Sequence, residues 1–557
     1  METRHTVIGQ TFSTRLDAGS DLEDRRPRSV FARLVPWYGL FAVVVVSLIQ
    51  LFFSFEKGGY FIYQWYWGAS AIALALIGAA LVPGYLSRSS LGRWQWALVG
   101  TLLAFTAIVT ASIFWSLSPV LSVHEASRTA MYVGVFVLLL PAAARWGWLI
   151  VDATICGALL PPALFGLEQK IYPTAVVYSG FATLETDPKA SSTVGYHPTF
   201  GMMCAMGALL VVARVGSFRS LRSTPLRALY SATGVIFLVA LYFSFSRGAL
   251  LAFAAGAVVL LALAKHRFEV LGNLAITVLP ALWVISQARE LPGLVTRPVS
   301  EEIMKADGLA LIAPLLTGVL LALAAQVVFS LLVRAAEGYA PDGVRRVASI
   351  VGTTLAVVAV AGGFFFGWAK FQEIGGVEEL RSRITSSDTE RQAEATATDQ
   401  TKRFTSMSAA NRIALWEIAW ATFREHPLTG TGGDTYQVVY QEKAAEGVEA
   451  AQHPVLHPHS MWMSLLSDTG IFALLAFGAF CIGSLALACY NAFSKTRSRT
   501  SRALIAGSAA AATAYLVSSS IDWNWYIPAS TLPFFALAAV AAGTTKRRGQ
   551  KERSISG

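Results

Sequence analysis

Runs of about 20 consecutive apolar residues recur from position 35 almost to the end of this chain, and no other feature constrains its fold as strongly. A hydrocarbon layer about 30 Å thick is crossed by roughly 20 residues of α-helix. Only a helix or a closed barrel satisfies its own backbone polar groups inside lipid. The runs here are continuous rather than alternating, which excludes a transmembrane β-barrel. With 54% of the 557 residues hydrophobic and 14% charged, a soluble multidomain reading is excluded as well.

The expected fold class is therefore all-α, a polytopic transmembrane helical bundle of about 14 helices. The predicted spans are 35–55, 66–83, 94–114, 129–144, 146–165, 199–213, 228–245, 249–264, 270–285, 309–333, 347–368, 461–490, 503–519 and 528–543. The formal charge of +10 raises nucleic acid as a partner, but the basic residues form short clusters between spans rather than one stripe. No nucleic acid is expected. Those clusters fall in every second loop: Arg88 and Arg93, Arg145, Arg214 to Arg227, Lys265 and Arg267, Arg334 to Arg346, Lys495 to Arg502, and the tail after Lys546. Positive charge collects on the cytoplasmic side, so both termini are predicted to be cytoplasmic. The sparse points of this assignment are the tight turn at Arg145 and the short span after Thr199.

The expected organisation is a cytoplasmic tail (1–34), an N-terminal transmembrane bundle (35–368), a large helical periplasmic loop (369–458), C-terminal transmembrane helices (459–543) and a cytoplasmic tail (544–557). Within the loop, 378–400 is polar without apolar periodicity and reads as a strap. Ile413, Trp416, Trp420 and Phe423 then recur at helical spacing, predicting an amphipathic helix that lies along the membrane surface or caps the bundle. Pro427 and the Gly430-Thr431-Gly432-Gly433 run end it as a turn, because no strand precedes the glycines and no Lys-Ser/Thr follows them.

The candidate chemical groups gather at the outer interface. Arg247 occupies a minimal turn between two spans, where a guanidinium can pair bidentately with phosphate; it can equally be an anchor that snorkels to the headgroups. His459, where the large loop re-enters the membrane, suits a general base near neutral pH, or a mere helix cap. His453, His457 and His459 together raise a metal site, which the absence of cysteine and the constraint of Pro458 disfavour. Arg412 projects opposite the aromatic stripe, toward an anion or into solvent. Asp522 has an arginine as its expected partner, and Arg128 shares its outer loop with a Trp115-Ser116-Leu117-Ser118-Pro119 segment suited to interface anchoring. Helix interiors are nearly free of ionisable residues, Asp152 being the main exception. That disfavours an ion-coupled transporter or a pore, which would place charge near the midplane.

Four ordered segments resemble the O-antigen ligase and O-antigen polymerase family: 115–119; Phe243-Ser244-Phe245-Ser246-Arg247-Gly248-Ala249; 412–416 with His426-Pro427-Leu428-Thr429-Gly430-Thr431-Gly432; and 459–470. The Asp522-Trp523-Asn524-Trp525 element is similar to tails of bacterial members. The resemblance implies an inner-membrane glycosyltransferase that moves a glycan from undecaprenyl pyrophosphate to an acceptor hydroxyl on a glycan or lipid at the outer leaflet. It implies inversion and neither metal nor cofactor. Arg247 and Arg412 would hold the pyrophosphate and His459 would serve the acceptor hydroxyl as the catalytic set, with Arg128, His457 and Asp522 as substrate-binding residues. Two alternatives stand beside it: a repeat-unit polymerase, and a lipid-glycan flippase or exporter without bond formation. The chain departs from the family pattern at Ser460 and at Pro198, each where asparagine is expected, and its first outer loop lacks the paired acids of metal-dependent relatives.

Overall fold

The computed structural model describes residues 30–87, 90–173, 189–218, 220–339, 399–401, 410–445, 455–494 and 497–543, with scattered positions between 343 and 372. The two tails, most of the predicted 347–368 span, nearly all of the 378–400 strap and His453 lie outside the described residues.

The helices are α1 (Val30–Phe55), α2 (Ile62–Leu81), α3 (Arg93–Ala111), α4 (Pro119–Ala153), α5 (Leu160–Ile171), α6 (His197–Ser217), α7 (Thr224–Phe243), α8 (Arg247–Leu263) and α9 (Arg267–Arg289). They continue with α10 (Pro292–Val295), α11 (Glu301–Ala310), α12 (Ile312–Tyr339), α13 (Ala410–Glu425), α14 (Tyr436–Ala445), α15 (Met461–Phe493), α16 (Arg499–Ser519) and α17 (Pro528–Ala542). Among the described residues, nine helices are long and apolar enough to cross a membrane, and α8 and α17 are shorter apolar helices. The expectation of a helical, multi-pass membrane bundle is thus borne out.

No loop interrupts the helix at the expected turn by Arg145: α4 is helical through it and joins α5 by a π-helical stretch, Thr154–Leu159. A straight helix from Glu125 to Gln169 would be roughly 66 Å long, yet a short path connects its ends. Gln169 accepts from the Ser192 backbone, Tyr196 donates to Asp522, and the Trp525 indole donates to Glu125. The helical run therefore doubles back, and it does so beside Arg145: Leu140 and Ala143 lie against Gly543, Trp146 donates to the Pro36 carbonyl at the start of α1, and Ala158 accepts from Ser54 near its end. The reversal thus falls where the sequence places it and is made within helix.

The bundle centre is α6, enclosed by α7, α8 and α16. Small residues bring these backbones close: a Cβ on Gly256 would meet the Ala510 carbonyl at 2.8 Å, and one on Gly507 would meet the Ala213 methyl at 2.4 Å. This explains why α16 is rich in Ala and Ser rather than Leu, since it faces protein and not lipid. At the end of α6 away from His197, Arg214 pairs with Asp152 (Nε–Oδ1 2.6 Å, Nη2–Oδ2 2.8 Å) and Tyr230 donates to the same carboxylate at 2.8 Å. The one interior acid noted in the sequence is thereby neutralised.

The amphipathic helix exists as α13, but its buried face is not the aromatic one. Leu415, Ile418, Ala419 and Thr422 are buried against Tyr436, Val439 and Tyr440 of α14, whereas Trp420 is 47% exposed. The glycine turn after α13 docks on α15. Thr431 and Gly432 donate backbone hydrogen bonds to the Ser467 and Asp468 carbonyls (3.1 and 2.8 Å), and Ile471 donates to Pro427 (3.0 Å). There α15 is broken by Gly470, at φ +72° and ψ −171°. A Cβ at Gly470 would lie 2.4 Å from the Leu428 carbonyl oxygen, so both conformation and space demand glycine.

Candidate functional site

Two helix N-termini meet at one end of the bundle. α6 opens with His197 and Pro198, and α8 opens with Arg247 after the turn Ser244-Phe245-Ser246. Phe245 is held at φ +47° in that turn, and the Ser246 hydroxyl caps α8 by accepting from the Ala249 amide at 3.2 Å. His197, Ser246, Arg247, Arg412 and Asp522 line a small cavity of about 50 Å³ between these helix ends. Helix N-termini present unpaired N–H groups and a positive dipole end. Two of them beside two guanidinium groups make a site for an anion with several oxygens.

Asp522 is the hub of this site, with its side chain only 4% exposed. Oδ1 accepts from the Tyr196 hydroxyl at 2.7 Å and from the Trp523 amide at 2.9 Å, and Oδ2 accepts from Arg412 Nη2 at 3.3 Å. His459 Nδ1 lies 3.3 Å from Oδ1, at ion-pair distance though off the line of an ideal hydrogen bond. Burial alone would raise the Asp522 carboxyl, but the contact with His459, then the Arg412 charge, hold it below the usual carboxylate range. A carboxylate at Nδ1 keeps the proton there and leaves Nε2 of His459 as the basic atom. His459 sits at φ +50°, and the next residue, Ser460, caps α15 from the Met463 amide. Arg412 is not opposite the aromatic stripe as expected, because Trp416 follows it by one helical turn on the same face of α13 and donates its indole N–H to the Pro458 carbonyl at 2.8 Å. One helix face thus fixes both Arg412 and the histidine loop.

One family model matches part of the chain. Residues 306–478 match the O-antigen ligase family. No curated protein matches the chain. The O-antigen ligase match spans just under a third of the chain and contains Arg412, His457 and His459, while Arg128, Arg247 and Asp522 come to the same end of the bundle from outside it. The coarse functional class that accompanies this match is glycan transfer of the ligase or polymerase type, on lipid-linked and acceptor substrates.

Of the six residues singled out in the sequence, Arg247, Arg412, Asp522 and His459 form one connected site. Arg128 and His457 do not line its cavity. They belong to a buried cluster beside it, where the Arg128 guanidinium pairs with Glu125, lies 3.6 Å from Asp434 and stacks over the Tyr526 ring at 4.6 Å. His457 stacks on Tyr526 with ring centroids 3.6 Å apart, and its Nδ1 lies 3.7 Å from Asp434 Oδ1. Burial, then Arg128 and His459, push His457 well below the ordinary imidazole value, so it is neutral. Burial raises Asp434 to about 7, against the opposing pull of Arg128. Trp523 links cluster and site through ring contacts to Tyr196 (4.4 Å), His457 (5.4 Å) and His459 (6.3 Å). Sequence reasoning missed Tyr196 and His197 as site residues, although they stand in the Gly195-Tyr196-His197-Pro198 segment that begins α6.

Proposed function

We propose that this chain is an O-antigen ligase-like glycosyltransferase of the bacterial inner membrane, with its site on the periplasmic side and both termini in the cytoplasm. The donor is a glycan on undecaprenyl pyrophosphate that enters laterally between helices, and the acceptor is a hydroxyl of a second glycan or lipid. What carries this reading is one cavity that Arg247, Arg412 and Asp522 line together, with Asp522 in turn touching His459. The two guanidinium groups hold the diphosphate oxygens and stabilise the charge that gathers on them as the sugar C1–O bond breaks. Nε2 of His459 takes the proton of the acceptor hydroxyl, whose oxygen attacks C1 from the face opposite the diphosphate. Direct displacement gives inversion, and no residue in this scheme is a metal ligand. Of the described residues in the 369–458 segment, α13 closes over the site through Arg412.

The test is transfer by purified protein from a polyprenyl-diphosphate glycan to an acceptor, with product linkage read by mass spectrometry. Wild type forms the bond; Arg247→Ala and His459→Ala, expressed and folded equally, lower the rate at least 10²-fold. Product on another repeat unit instead of a different acceptor would identify a polymerase. Bond formation that survives His459→Ala at full rate would remove the assignment of the base.

A further inference from the structure

The scheme above supplies a base for the acceptor and cations for the diphosphate, but the diphosphate departs with one more negative charge than it carried when bound to sugar. A terminal phosphate has its second pKa near 6, so a positioned proton donor would assist the departure. His197 is placed for that task. It lines the same cavity as Arg247 and Arg412. Its Nδ1 lies 3.0 Å from the Ser244 carbonyl oxygen. A carbonyl only accepts, so Nδ1 carries hydrogen in both charge states, and Nε2 is the atom that gains or loses a proton.

The ring is fixed from both sides. Ser244 belongs to the turn that delivers Arg247, so imidazole and guanidinium are referenced to one piece of backbone. That turn is itself held by the Ser244 hydroxyl donating to the Leu241 carbonyl at 2.6 Å and by Phe245 at φ +47°. Pro198 fixes the backbone on the other side, in the first turn of α6. The charged and titratable groups that share the cavity are Arg247 from α8, Arg412 from α13 and Asp522 from the loop before α17, with Tyr196 bonded to Asp522. A bound diphosphate is the negative charge that an imidazolium in this cavity would face.

We propose that His197 is the general acid of the transfer, giving the proton on Nε2 to the departing phosphate oxygen. The inference rests on the glycan-transfer reading. In the step, the acceptor oxygen bonds to C1 and its proton passes to His459 Nε2. The C1–O bond to phosphate breaks, its electron pair stays on the phosphate oxygen, and that oxygen receives the His197 proton. His459 then returns a proton to water and His197 regains one, so charge and atoms balance over the cycle.

The test is kcat against pH for the full-length protein in nanodiscs, with a synthetic polyprenyl-diphosphate glycan as donor, for wild type, His197→Gln, His197→Lys and His459→Gln. The expected wild-type profile is a bell, falling at low pH as His459 protonates and at high pH as His197 loses its proton. His197→Gln should lower kcat about 10²-fold and abolish the alkaline limb while donor KM stays within about threefold. His197→Lys, a donor of higher pKa, should move that limb upward; it also gives a reading if the glutamine variant does not fold. His459→Gln should remove the acidic limb instead. An alkaline limb unchanged in both His197 variants, or a loss confined to KM, overturns the role of His197 and leaves the transfer reading intact. No transfer by wild type at any pH overturns both.

Discussion

Replacing Asp522 by asparagine changes almost no volume, and it tests whether the carboxylate organises the site. The amide has two orientations, each with a cost. With its nitrogen at the Oδ1 position, it meets His459 Nδ1 donor to donor and forces the ring hydrogen onto Nε2, removing the base. It also deprives the Tyr196 hydroxyl and the Trp523 amide of their acceptor. With its nitrogen at the Oδ2 position, it faces the Arg412 guanidinium, and the imidazolium formed at His459 during reaction has no counter-charge. A unit charge about 4 Å away at an effective dielectric of about 20 is worth about 4 kcal/mol. The His459 side chain is 29% exposed, so solvent screening reduces this to roughly 2–3 kcal/mol. At 1.4 kcal/mol per tenfold, kcat should fall roughly 10²-fold. Donor KM should stay level or fall, because Arg412 loses its competing carboxylate. The assay is steady-state transfer with donor titration, alongside the melting temperature of the purified variant. A folded Asp522→Asn protein with kcat within about threefold of wild type, or with its whole defect in KM, would refute the hub role.

Three further outcomes follow from the neighbouring contacts. Arg128→Ala leaves Glu125 and Asp434 buried without their cation and should destabilise the fold by about 3–5 kcal/mol; thermal unfolding should show the loss, whereas Arg247→Ala, at the cavity, should melt near wild type. Asp434 is raised to about 7 against about 3.9 in the unfolded chain, so the folded state holds an extra proton between these values and its stability declines as pH rises through that window. Asp434→Asn should therefore raise the melting temperature at pH 8 and change it little near pH 5; the reverse order would show that the carboxylate is stabilised as an anion. Gly470→Ala should cost about 1–3 kcal/mol, since it places a Cβ in left-handed backbone against the Leu428 carbonyl, and cleavage of the 427–432 turn by added protease should accelerate.

The site was largely legible because its residues stand where lipid chemistry forbids idle charge. Arg247 interrupts an otherwise apolar hairpin on the side that lacks basic residues, and His459 opens a span; both signals survive in sequence alone. Arg128 misled for a physical reason: a guanidinium at the rim looks the same whether it faces a ligand or buried acids. The discriminating signal was Glu125, three residues before it on the same helix face. The helix α13 was legible in its aromatic spacing, but its packing face was not: the indole of Trp416 is committed to a backbone carbonyl, and Leu415 and Ile418 carry the contact with α14. The place where α4 reverses into α5 was legible through Arg145, the basic residue between two apolar runs, whereas periodicity carries no trace of the turn being made within helix.

Phe245, Asp434 and His459 are three of the five non-glycine residues among the described ones with left-handed backbone, and all three belong to this end of the bundle. Such conformations cost of order 1–3 kcal/mol each and persist only where surrounding structure over-determines them. The buried cluster supplies that constraint. Through Arg128 and Glu125 of α4, Asp434 before α14, His457 before α15 and Tyr526 before α17, it binds four distant parts of the chain into one block. Its charges nearly cancel internally: the Arg128 guanidinium answers Glu125, Asp434 titrates near neutrality and His457 is neutral. A block of that kind stays put when charge appears beside it, which is what the proposed diphosphate site requires. His459 is tied to this block by two residues of backbone and by Trp523, and to the cavity by Asp522, so the same strained residue reports on both. Loosening the block should therefore lower kcat even where every cavity residue is intact, and Arg128→Lys, which keeps the charge but loses the planar fork, is the variant in which rate and melting temperature would separate.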